Sequence, residues 1–177
     1  LLFLKKGIGK IEGVVISGGE PTLQPDLKDF IIKIKKMGFK IKVDTNGTNC
    51  EIITDLVKNK LIDYVAMDIK APLEKYSEVV GVKANIKEIK KTIKLLLSGV
   101  IPYEFRTTVV SGLHTENDII KMSEEIARAE KWFLQRFKSD TELVNNIFKN
   151  KETFSIAEMK KLVFLARKNV PNCKLRE

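Results

Sequence analysis

Short apolar runs alternate along this chain with longer segments in which apolar residues recur every three or four positions. A short apolar run between turn residues is typical of a buried strand, and the longer spacing is typical of an amphipathic helix. The first pair shows the pattern: an apolar run at residues 14–16 precedes a helical stretch that Pro25 can open and Gly38 can end. The apolar positions of that stretch are Leu27, Phe30, Ile31 and Ile34. Repeated strand-helix pairs of this kind predict a parallel sheet covered by helices.

Five strand-helix units are predicted in this way. The strands are expected at residues 14–16, 39–43, 64–69, 103–110 and 132–137. The helices are expected at residues 25–38, 49–57, 86–97, 115–127 and 155–166. Thr115, three residues before Asp118, is a predicted helix start, and Ser155 with Glu158 forms a capping-box pattern at the start of the last helix. Residues 138–154 are expected to form a polar loop or an irregular helix.

The beginning of the chain is typical of the end of a helix, because an apolar stretch is followed by Lys5, Lys6 and Gly7. Such a helix needs a strand of its own, so we expect an earlier strand-helix unit that is largely missing and that brings the total to six. Nothing in the composition suggests two domains, and 177 residues with 44% hydrophobic content suffice for one sizeable core. Residues 1–177 are therefore expected to form a single domain.

The basic charge of the chain does not by itself indicate a nucleic-acid partner. The formal net charge is +9, but only five of the 32 basic residues are arginines. Arginine is the better bidentate reader of phosphates and bases, and the lysines lie mainly on the outward faces of predicted helices. Solvated helix faces are therefore favoured, and attraction to an acidic partner stays open. Since no apolar stretch suits a membrane span or a secretory signal, we expect a cytoplasmic protein that binds neither nucleic acid nor membranes.

The cysteines and the histidine count against several kinds of site. Cys50 and Cys173 lie far apart and match no metal-binding spacing or disulfide framework, so both are expected to be reduced thiols. His114 is the only histidine, which leaves little material for a catalytic triad or a histidine metal site. We expect it in the loop that enters the next helix. The sequence also has no Walker-type phosphate loop and no complete dinucleotide fingerprint.

Polar residues are concentrated where the predicted strands end. Ligands of parallel strand-helix folds bind at the carboxyl ends of the strands, so these positions have the most weight. The segments are Ser17-Gly18-Gly19-Glu20-Pro21 after the first strand, Asp44-Thr45-Asn46-Gly47-Thr48 after the second, Asp68-Ile69-Lys70 at the third and Arg106-Thr107-Thr108 within the fourth. Four consecutive units therefore direct glycines, carboxylates and cations toward one face.

The first two segments each allow a structural and a functional interpretation. The glycine pair leaves the backbone bare for an ammonium or a carboxylate, and Glu20 adds a negative charge, yet a lone glycine pair is more often a turn. Asp44 either binds a ligand or caps the tight turn that Asn46 and Gly47 favour. Both interpretations stay open for Asp44.

The other two segments place charges at strands that are otherwise apolar. Burying a carboxylate such as Asp68 is costly without a partner, and Lys70 lies on the same strand face. The two side chains either pair with each other or bind the hydroxyls and the carboxylate of a ligand. Arg106 interrupts the fourth strand, and an inward-facing arginine is expected to have an anionic partner.

The motifs and their order resemble the radical S-adenosylmethionine (SAM) superfamily. Within it they resemble the activating enzymes of anaerobic ribonucleotide reductases and other glycyl-radical enzymes. Residues 17–21 resemble the motif that binds the methionine amine, and residues 43–47, 67–70 and 106–110 resemble later strand motifs of the activating enzymes. The resemblance runs through most of the chain. It implies an α/β fold, a partial (β/α)6 barrel with parallel strands whose first unit is largely missing, and SAM lying across the open upper face.

The resemblance also implies a role for each candidate residue. Gly18, Gly19 and Glu20 are expected to hold the methionine amine, Lys70 and Arg106 its carboxylate, and Asp68 the ribose hydroxyls. Asp44 and Thr45 are expected to help form a monovalent-cation site, and Val109 and Gln135 to lie near the nucleoside. No residue of the chain is assigned as catalytic or as a ligand of the cluster.

The implied reaction begins when a reduced 4Fe-4S cluster gives one electron to SAM. The carbon-sulfur bond breaks and releases methionine and a 5'-deoxyadenosyl radical, while the protein orients SAM and excludes solvent. In an activating enzyme that radical takes a hydrogen from a backbone glycine of the partner enzyme. The expected partners are a glycyl-radical enzyme such as anaerobic ribonucleotide reductase and an electron donor of the flavodoxin or ferredoxin type.

The sequence departs from the superfamily in one respect, because the C-x-x-x-C-x-x-C motif that binds the cluster is absent. Cys50 and Cys173 cannot replace it, so the motif is expected upstream and the chain alone is expected to be inactive.

One alternative is a 7-carboxy-7-deazaguanine synthase or another small radical SAM enzyme. Residues 68–72 and 106–108 favour the activating enzyme instead. A further alternative is a non-catalytic protein that binds a nucleoside or nucleic acid.

Overall fold

Strands and helices alternate along the chain in the computed structural model, which describes residues 1–137 and 153–176. The strands are β1 (Gly13–Ile16), β2 (Lys40–Thr45), β3 (Tyr64–Asp68), β4 (Tyr103–Val109), β5 (Trp132–Arg136) and β6 (Cys173–Arg176). The helices are α1 (Leu2–Gly7), α2 (Leu27–Lys35), α3 (Cys50–Lys58), α4 (Tyr76–Val80), α5 (Ile86–Leu97), α6 (Glu116–Glu125) and α7 (Ile156–Ala166). A short 3-10 helix, Pro21–Leu23, follows β1. The chain forms two compact units, which are described in turn.

The first unit comprises residues 1–68 and 85–103 and contains β1, β2 and β3. These strands pair in chain order and in parallel, with Val14 opposite Ile41 and Val43 opposite Val65. Helices α2, α3 and α5 each bury one face, because their apolar residues recur at helical spacing. The buried residues of these helices include Leu27, Ile31, Ile34, Ile53, Leu56, Ile89 and Leu96.

The second unit comprises residues 69–84 and 104–177 and contains nearly all of β4 together with β5 and β6. These strands also pair in chain order and in parallel, with Phe105 opposite Trp132 and Trp132 opposite Cys173. The indole Nε1 of Trp132 donates to Thr107 Oγ1 at 3.0 Å, which satisfies a buried polar group of the core. Burial raises the pKa of the Cys173 thiol to about 12, so this cysteine stays protonated at neutral pH.

The α/β class with parallel strands is confirmed, and each predicted strand and helix is present with ends that differ by a few residues. Strand β6 was not predicted. Its apolar positions, Cys173 and Leu175, alternate with charged ones over only four residues, and so short a signal does not separate a strand from a loop. It becomes a strand because β5 offers a parallel partner. The short helix α4 was also missed.

The exposure of Phe30 departs from the helical pattern, and the predictions for residues 138–152 and for a single domain remain untested. Phe30 shares the helical spacing of Leu27, Ile31 and Ile34 but is 39% exposed, because those three residues already cover the core side of α2. The segment predicted as a loop or irregular helix at residues 138–154 lies outside the described residues as far as 152. The single-domain assignment stays a prediction. Within the described ranges, no helix combines the length and the apolar character needed to cross a bilayer.

Candidate functional site

The loop after β1 exposes main-chain atoms that no side chain covers, at Gly18 and Gly19. Gly18 and Gly19 have φ angles of +106° and +43°, which side chains rarely adopt, and a Cβ built on either would meet nothing within 4 Å. Both residues are exposed to solvent. The space beside this backbone is therefore open, as an approaching ligand would require.

Glu20 ties this loop to the end of β2. Its buried carboxylate accepts hydrogen bonds from the Thr22 main-chain N–H at 3.2 Å and from the hydroxyls of Thr22 and Thr45 at 2.6 Å and 2.9 Å. The other carboxylate oxygen accepts from the Asn46 N–H at 2.6 Å. The structure thus brings Glu20 and Thr45 together, two of the predicted site residues. Because several protein donors already bind the carboxylate, Glu20 stabilises the conformation of the loop.

The turn after β2 has the geometry that its Asn-Gly sequence predicts. Asn46 Oδ1 accepts from the main-chain N–H and the hydroxyl of Thr48 at 3.0 Å and 2.7 Å. Gly47 has a φ angle of +77°, and a Cβ there would lie 2.1 Å from Met67 Cε. The Thr92 hydroxyl donates to the Gly47 carbonyl at 2.8 Å, which anchors the turn from α5. The prediction of a tight turn is confirmed.

Asp44 and Thr45 are neighbours in β2, so their side chains lie on opposite faces of the sheet. Thr45 is buried against Glu20, whereas Asp44 is half-buried and lies 3.7 Å from the Lys42 ammonium. Asp68 is the last residue of β3 and is half-buried. The predicted roles of Asp44 and Thr45 at a cation and of Asp68 at hydroxyls remain predictions.

In the second unit, the main chains of Lys70 and Arg106 are joined through Ile69. The Ile69 N–H donates to the Arg106 carbonyl at 2.8 Å, and the Thr107 hydroxyl donates to the Ile69 carbonyl at 2.7 Å. The Lys70 N–H donates to the Tyr76 hydroxyl oxygen at 3.2 Å. The Lys70 side chain is exposed and Arg106 is half-buried. The two cationic residues therefore lie on main-chain segments that are hydrogen-bonded to each other through Ile69.

Val109 and Gln135 lie on the adjacent strands β4 and β5. Val109 is the last residue of β4 and is buried, whereas Gln135 is half-buried. In the parallel register Gln135 lies opposite Thr108, and Val109 lies opposite Arg136. Successive residues of a strand face opposite sides of the sheet, so the side chains of Val109 and Gln135 lie on opposite faces near the carboxyl ends of β4 and β5. Their predicted place near a nucleoside remains a prediction.

Sequence reasoning gave little weight to a second set of polar residues in this unit. His114 is buried and contacts the main chains of Lys70 and Val110. Lys75 forms an ion pair with Asp118 at 3.2 Å. Buried polar groups usually have hydrogen-bond partners, as His114 does here. A single sequence does not show, however, that a histidine in a loop is buried. The only available signal was that both His114 and Asp118 flank a predicted helix start.

The described residues do not fit a metal cluster. Among residues 1–137 and 153–176, no group of three or more His, Cys, Asp or Glu side chains could hold a metal ion. Cys50 and Cys173 are both buried free thiols, one in each unit. The 4Fe-4S cluster that the resemblance implies therefore has no ligands here.

The family model described as the radical SAM superfamily matches this chain over residues 2–127. A Methanocaldococcus jannaschii protein that is named as a proposed glycyl-radical enzyme activating enzyme is 38% identical to this chain over 173 residues. The match covers 93% of this chain and 70% of that protein. A Pyrococcus horikoshii protein whose name proposes a GTP 3',8-cyclase is 26% identical over 122 residues, covering 66% of this chain and 38% of that protein. The chain thus spans well under half of the second relative.

The fold is similar to that of a solved domain of pyruvate-formate lyase-activating enzyme from Bacteroides vulgatus. The TM-score is 0.74 at 19% identity, and the match covers 94% of this chain and 100% of that domain. At this identity the likeness concerns the fold alone. It confirms the predicted α/β fold.

Proposed function

The chain belongs to the radical SAM superfamily, as its motifs indicated, and from that premise we propose that it is the greater part of a glycyl-radical-enzyme activating enzyme. The observation that carries the proposal is the match to the Methanocaldococcus jannaschii relative, whose name proposes this activity. That match extends over nearly the whole chain and beyond the residues of the family model. The proposed reaction is reductive cleavage of SAM followed by formation of a glycyl radical on a partner enzyme.

The chain's own residues are proposed to bind and orient SAM. The exposed main chain of Gly18 and Gly19 receives the methionine amine, and Glu20 holds that loop in shape and adds negative charge. Lys70 and Arg106 bind the carboxylate by charge-assisted hydrogen bonds. The remaining assignments are Asp68 to the ribose hydroxyls, Val109 and Gln135 to the nucleoside, and Asp44 with Thr45 to a monovalent cation.

SAM supplies the chemistry, because its reductive cleavage yields a 5'-deoxyadenosyl radical that removes a hydrogen atom. The described residues hold no ligands for the 4Fe-4S cluster that the superfamily implies, so no step is assigned to them beyond binding SAM and excluding water. We propose that the cluster ligands belong to a preceding segment and that this chain alone does not cleave SAM.

The partner is proposed to be a glycyl-radical enzyme, with anaerobic ribonucleotide reductase as the first to test. A flavodoxin or ferredoxin is proposed as the electron donor, and the cytoplasm as the location. The basic charge of +9 supports an acidic donor, since opposite charges speed association.

The test uses the protein together with its natural upstream segment, reconstituted with iron and sulfide without oxygen. We expect release of 5'-deoxyadenosine from SAM, and a glycyl-radical signal in electron paramagnetic resonance when the partner is added. Lys70→Met is expected to weaken SAM binding about tenfold or more, because it removes a charge-assisted hydrogen bond. Lys168→Met, at another exposed lysine of the second unit, serves as the control. Absence of SAM cleavage by a cluster-loaded protein contradicts the proposal.

A GTP 3',8-cyclase is the second candidate, because the Pyrococcus horikoshii relative has that name. The match is weaker and covers less of this chain than the match to the activating enzyme. Incubation of the reconstituted protein with SAM and GTP distinguishes the two. Conversion of GTP without a glycyl radical on any partner would favour the cyclase.

A further inference from the structure

The segment after β3 is held in place by side chains of the second unit. The Leu73 N–H donates to Glu125 Oε1 at 2.8 Å. The Lys75 ammonium donates to the Leu113 carbonyl at 2.9 Å and to Asp118 at 3.2 Å. A segment without regular structure therefore has several fixed points, although such segments are usually mobile.

His114 adds the fixed point nearest to Lys70. The residue is 5% exposed, its Nδ1 lies 3.0 Å from the Val110 nitrogen, and its Nε2 lies 2.8 Å from the Lys70 carbonyl oxygen. A main-chain N–H only donates and a carbonyl only accepts, so both bonds form when Nδ1 accepts and the ring proton is on Nε2. One imidazole thus bridges the end of β4 and the segment that carries Lys70.

The Lys70 peptide is therefore fixed on both sides. Its N–H donates to the Tyr76 hydroxyl, and its carbonyl accepts from His114. The preceding residue, Ile69, is bonded to Arg106 and Thr107. With both neighbouring peptides held, only the side-chain torsions of Lys70 remain free to place its ammonium.

We propose that His114 is a positioning residue that holds the Lys70 main chain so that Lys70 and Arg106 present their charges together to the SAM carboxylate. The effect on SAM rests on the proposed function, whereas the effect on the main chain does not. A binding site whose residues are already held in place binds its ligand more tightly, because less side-chain freedom is lost on binding. A histidine suits the task because its two ring nitrogens serve one acceptor and one donor within a rigid plane.

The experiment compares three variants of the protein that includes its upstream segment. His114→Ala removes both bonds. In His114→Gln the amide reaches the Nε2 position and can donate to Lys70, whereas in His114→Asn the carbonyl reaches the Nδ1 position and can accept from Val110. Hydrogen exchange of residues 69–72 and 109–112 is measured by mass spectrometry, and SAM affinity by equilibrium dialysis.

We expect His114→Ala to speed exchange in both segments and to weaken SAM binding about tenfold. The glutamine variant should recover most of the affinity and slow exchange in residues 69–72 alone, and the asparagine variant should recover less affinity. Asn169→Ala controls for general destabilisation, because it removes a side-chain hydrogen bond to Ser123 elsewhere in the same unit. The control should leave the SAM affinity unchanged.

A double mutant decides whether His114 acts through Lys70. With Lys70→Met already present, His114→Ala should weaken SAM binding no further. An equal loss in both backgrounds overturns the inference, and so does unchanged exchange of residues 69–72 in His114→Ala. If the protein binds no SAM, or Lys70→Met binds it normally, the proposed site is wrong. Exchange of residues 69–72 then still decides whether His114 holds the main chain.

Discussion

Gly47 is a residue at which two structural requirements coincide. Its φ angle of +77° disfavours any side chain, and a Cβ would lie 2.1 Å from Met67 Cε. We expect Gly47→Ala to lower the free energy of unfolding by about 2–5 kcal/mol, the sum of left-handed strain and overpacking. Urea denaturation followed by circular dichroism measures the loss.

Gly99→Ala is the matched control for this change. Gly99 has a φ angle of +71°, close to that of Gly47, but a Cβ there would meet nothing within 4 Å. Its replacement should therefore show the backbone strain alone, about 1–2 kcal/mol. Equal losses at the two positions would mean that Met67 moves aside without cost.

Glu20 offers a second test at the scale of one residue. Glu20→Gln keeps the size of the side chain but replaces one accepting oxygen with an amide group that donates. One or more of the donors from Thr22, Thr45 and Asn46 then loses its partner in a buried place. We expect a loss of about 1–3 kcal/mol in the free energy of unfolding, measured by urea denaturation.

The control for this variant is Glu12→Gln, at an exposed glutamate just before β1. Exposed substitutions of this kind change stability by no more than about 0.5 kcal/mol. If Glu20→Gln is as stable as this control, its carboxylate does not hold the loop as the hydrogen bonds indicate.

Residue roles divide into those that local sequence predicts and those that it does not. The tight turn at Asn46 and Gly47 was predicted because the amide side chain and the missing Cβ act within the turn itself. Glu20 was expected to help hold the methionine amine, which stays a prediction, whereas its hydrogen bonds with Thr45 and Asn46 on the next strand and its turn were not foreseen. A single sequence does not show such contacts between distant positions.

At the scale of elements, local signals predicted most helices and strands. The helix start predicted at Thr115 and the capping box predicted at Ser155 with Glu158 are both present, because a cap depends on residues only three positions apart. Strand β6 was missed because its structure depends on β5. Elements defined by their own periodicity are thus predictable, and elements defined by a partner are not.

The cap of α6 should respond to pH. Burial raises the pKa of the Asp118 carboxyl, but hydrogen bonds from Thr115 and Lys75 outweigh it, and the resulting pKa lies below the usual 3.8. A lowered pKa in the folded state stabilises the protein above the unfolded-state pKa, and this contribution is lost as pH falls through the folded-state pKa. We expect Asp118→Asn to be less stable than the natural protein near neutral pH by about 1–2 kcal/mol, with the difference shrinking below the usual 3.8.

The measurement is the free energy of unfolding as a function of pH for both proteins. Asp26→Asn is the control, because Asp26 is the N-cap residue of α2 and its side chain forms no capping hydrogen bond. That variant should follow the pH dependence of the natural protein. Parallel curves for the natural protein and Asp118→Asn would contradict the assigned role of the cap.

At the scale of the whole molecule, the order of motifs along the chain predicted the α/β class and the superfamily. Each motif lies at or near the carboxyl end of a predicted strand, so strand order alone suggested a common face. The division into two units was not predicted, because the chain passes between the units after Asp68, Ala84 and Tyr103 without a change in composition. Alternation of strands and helices continues through all three positions.

The single-domain prediction can be tested with one probe in each unit. Trp132 is the only tryptophan and is buried in the second unit, so its fluorescence reports unfolding there. In Cys173→Ala the buried Cys50 is the only thiol, and its labelling in short pulses reports unfolding of the first unit. One cooperative domain requires that both probes give the same urea midpoint and slope on this variant. Separate midpoints would show that the units unfold independently and that residues 1–177 form two domains.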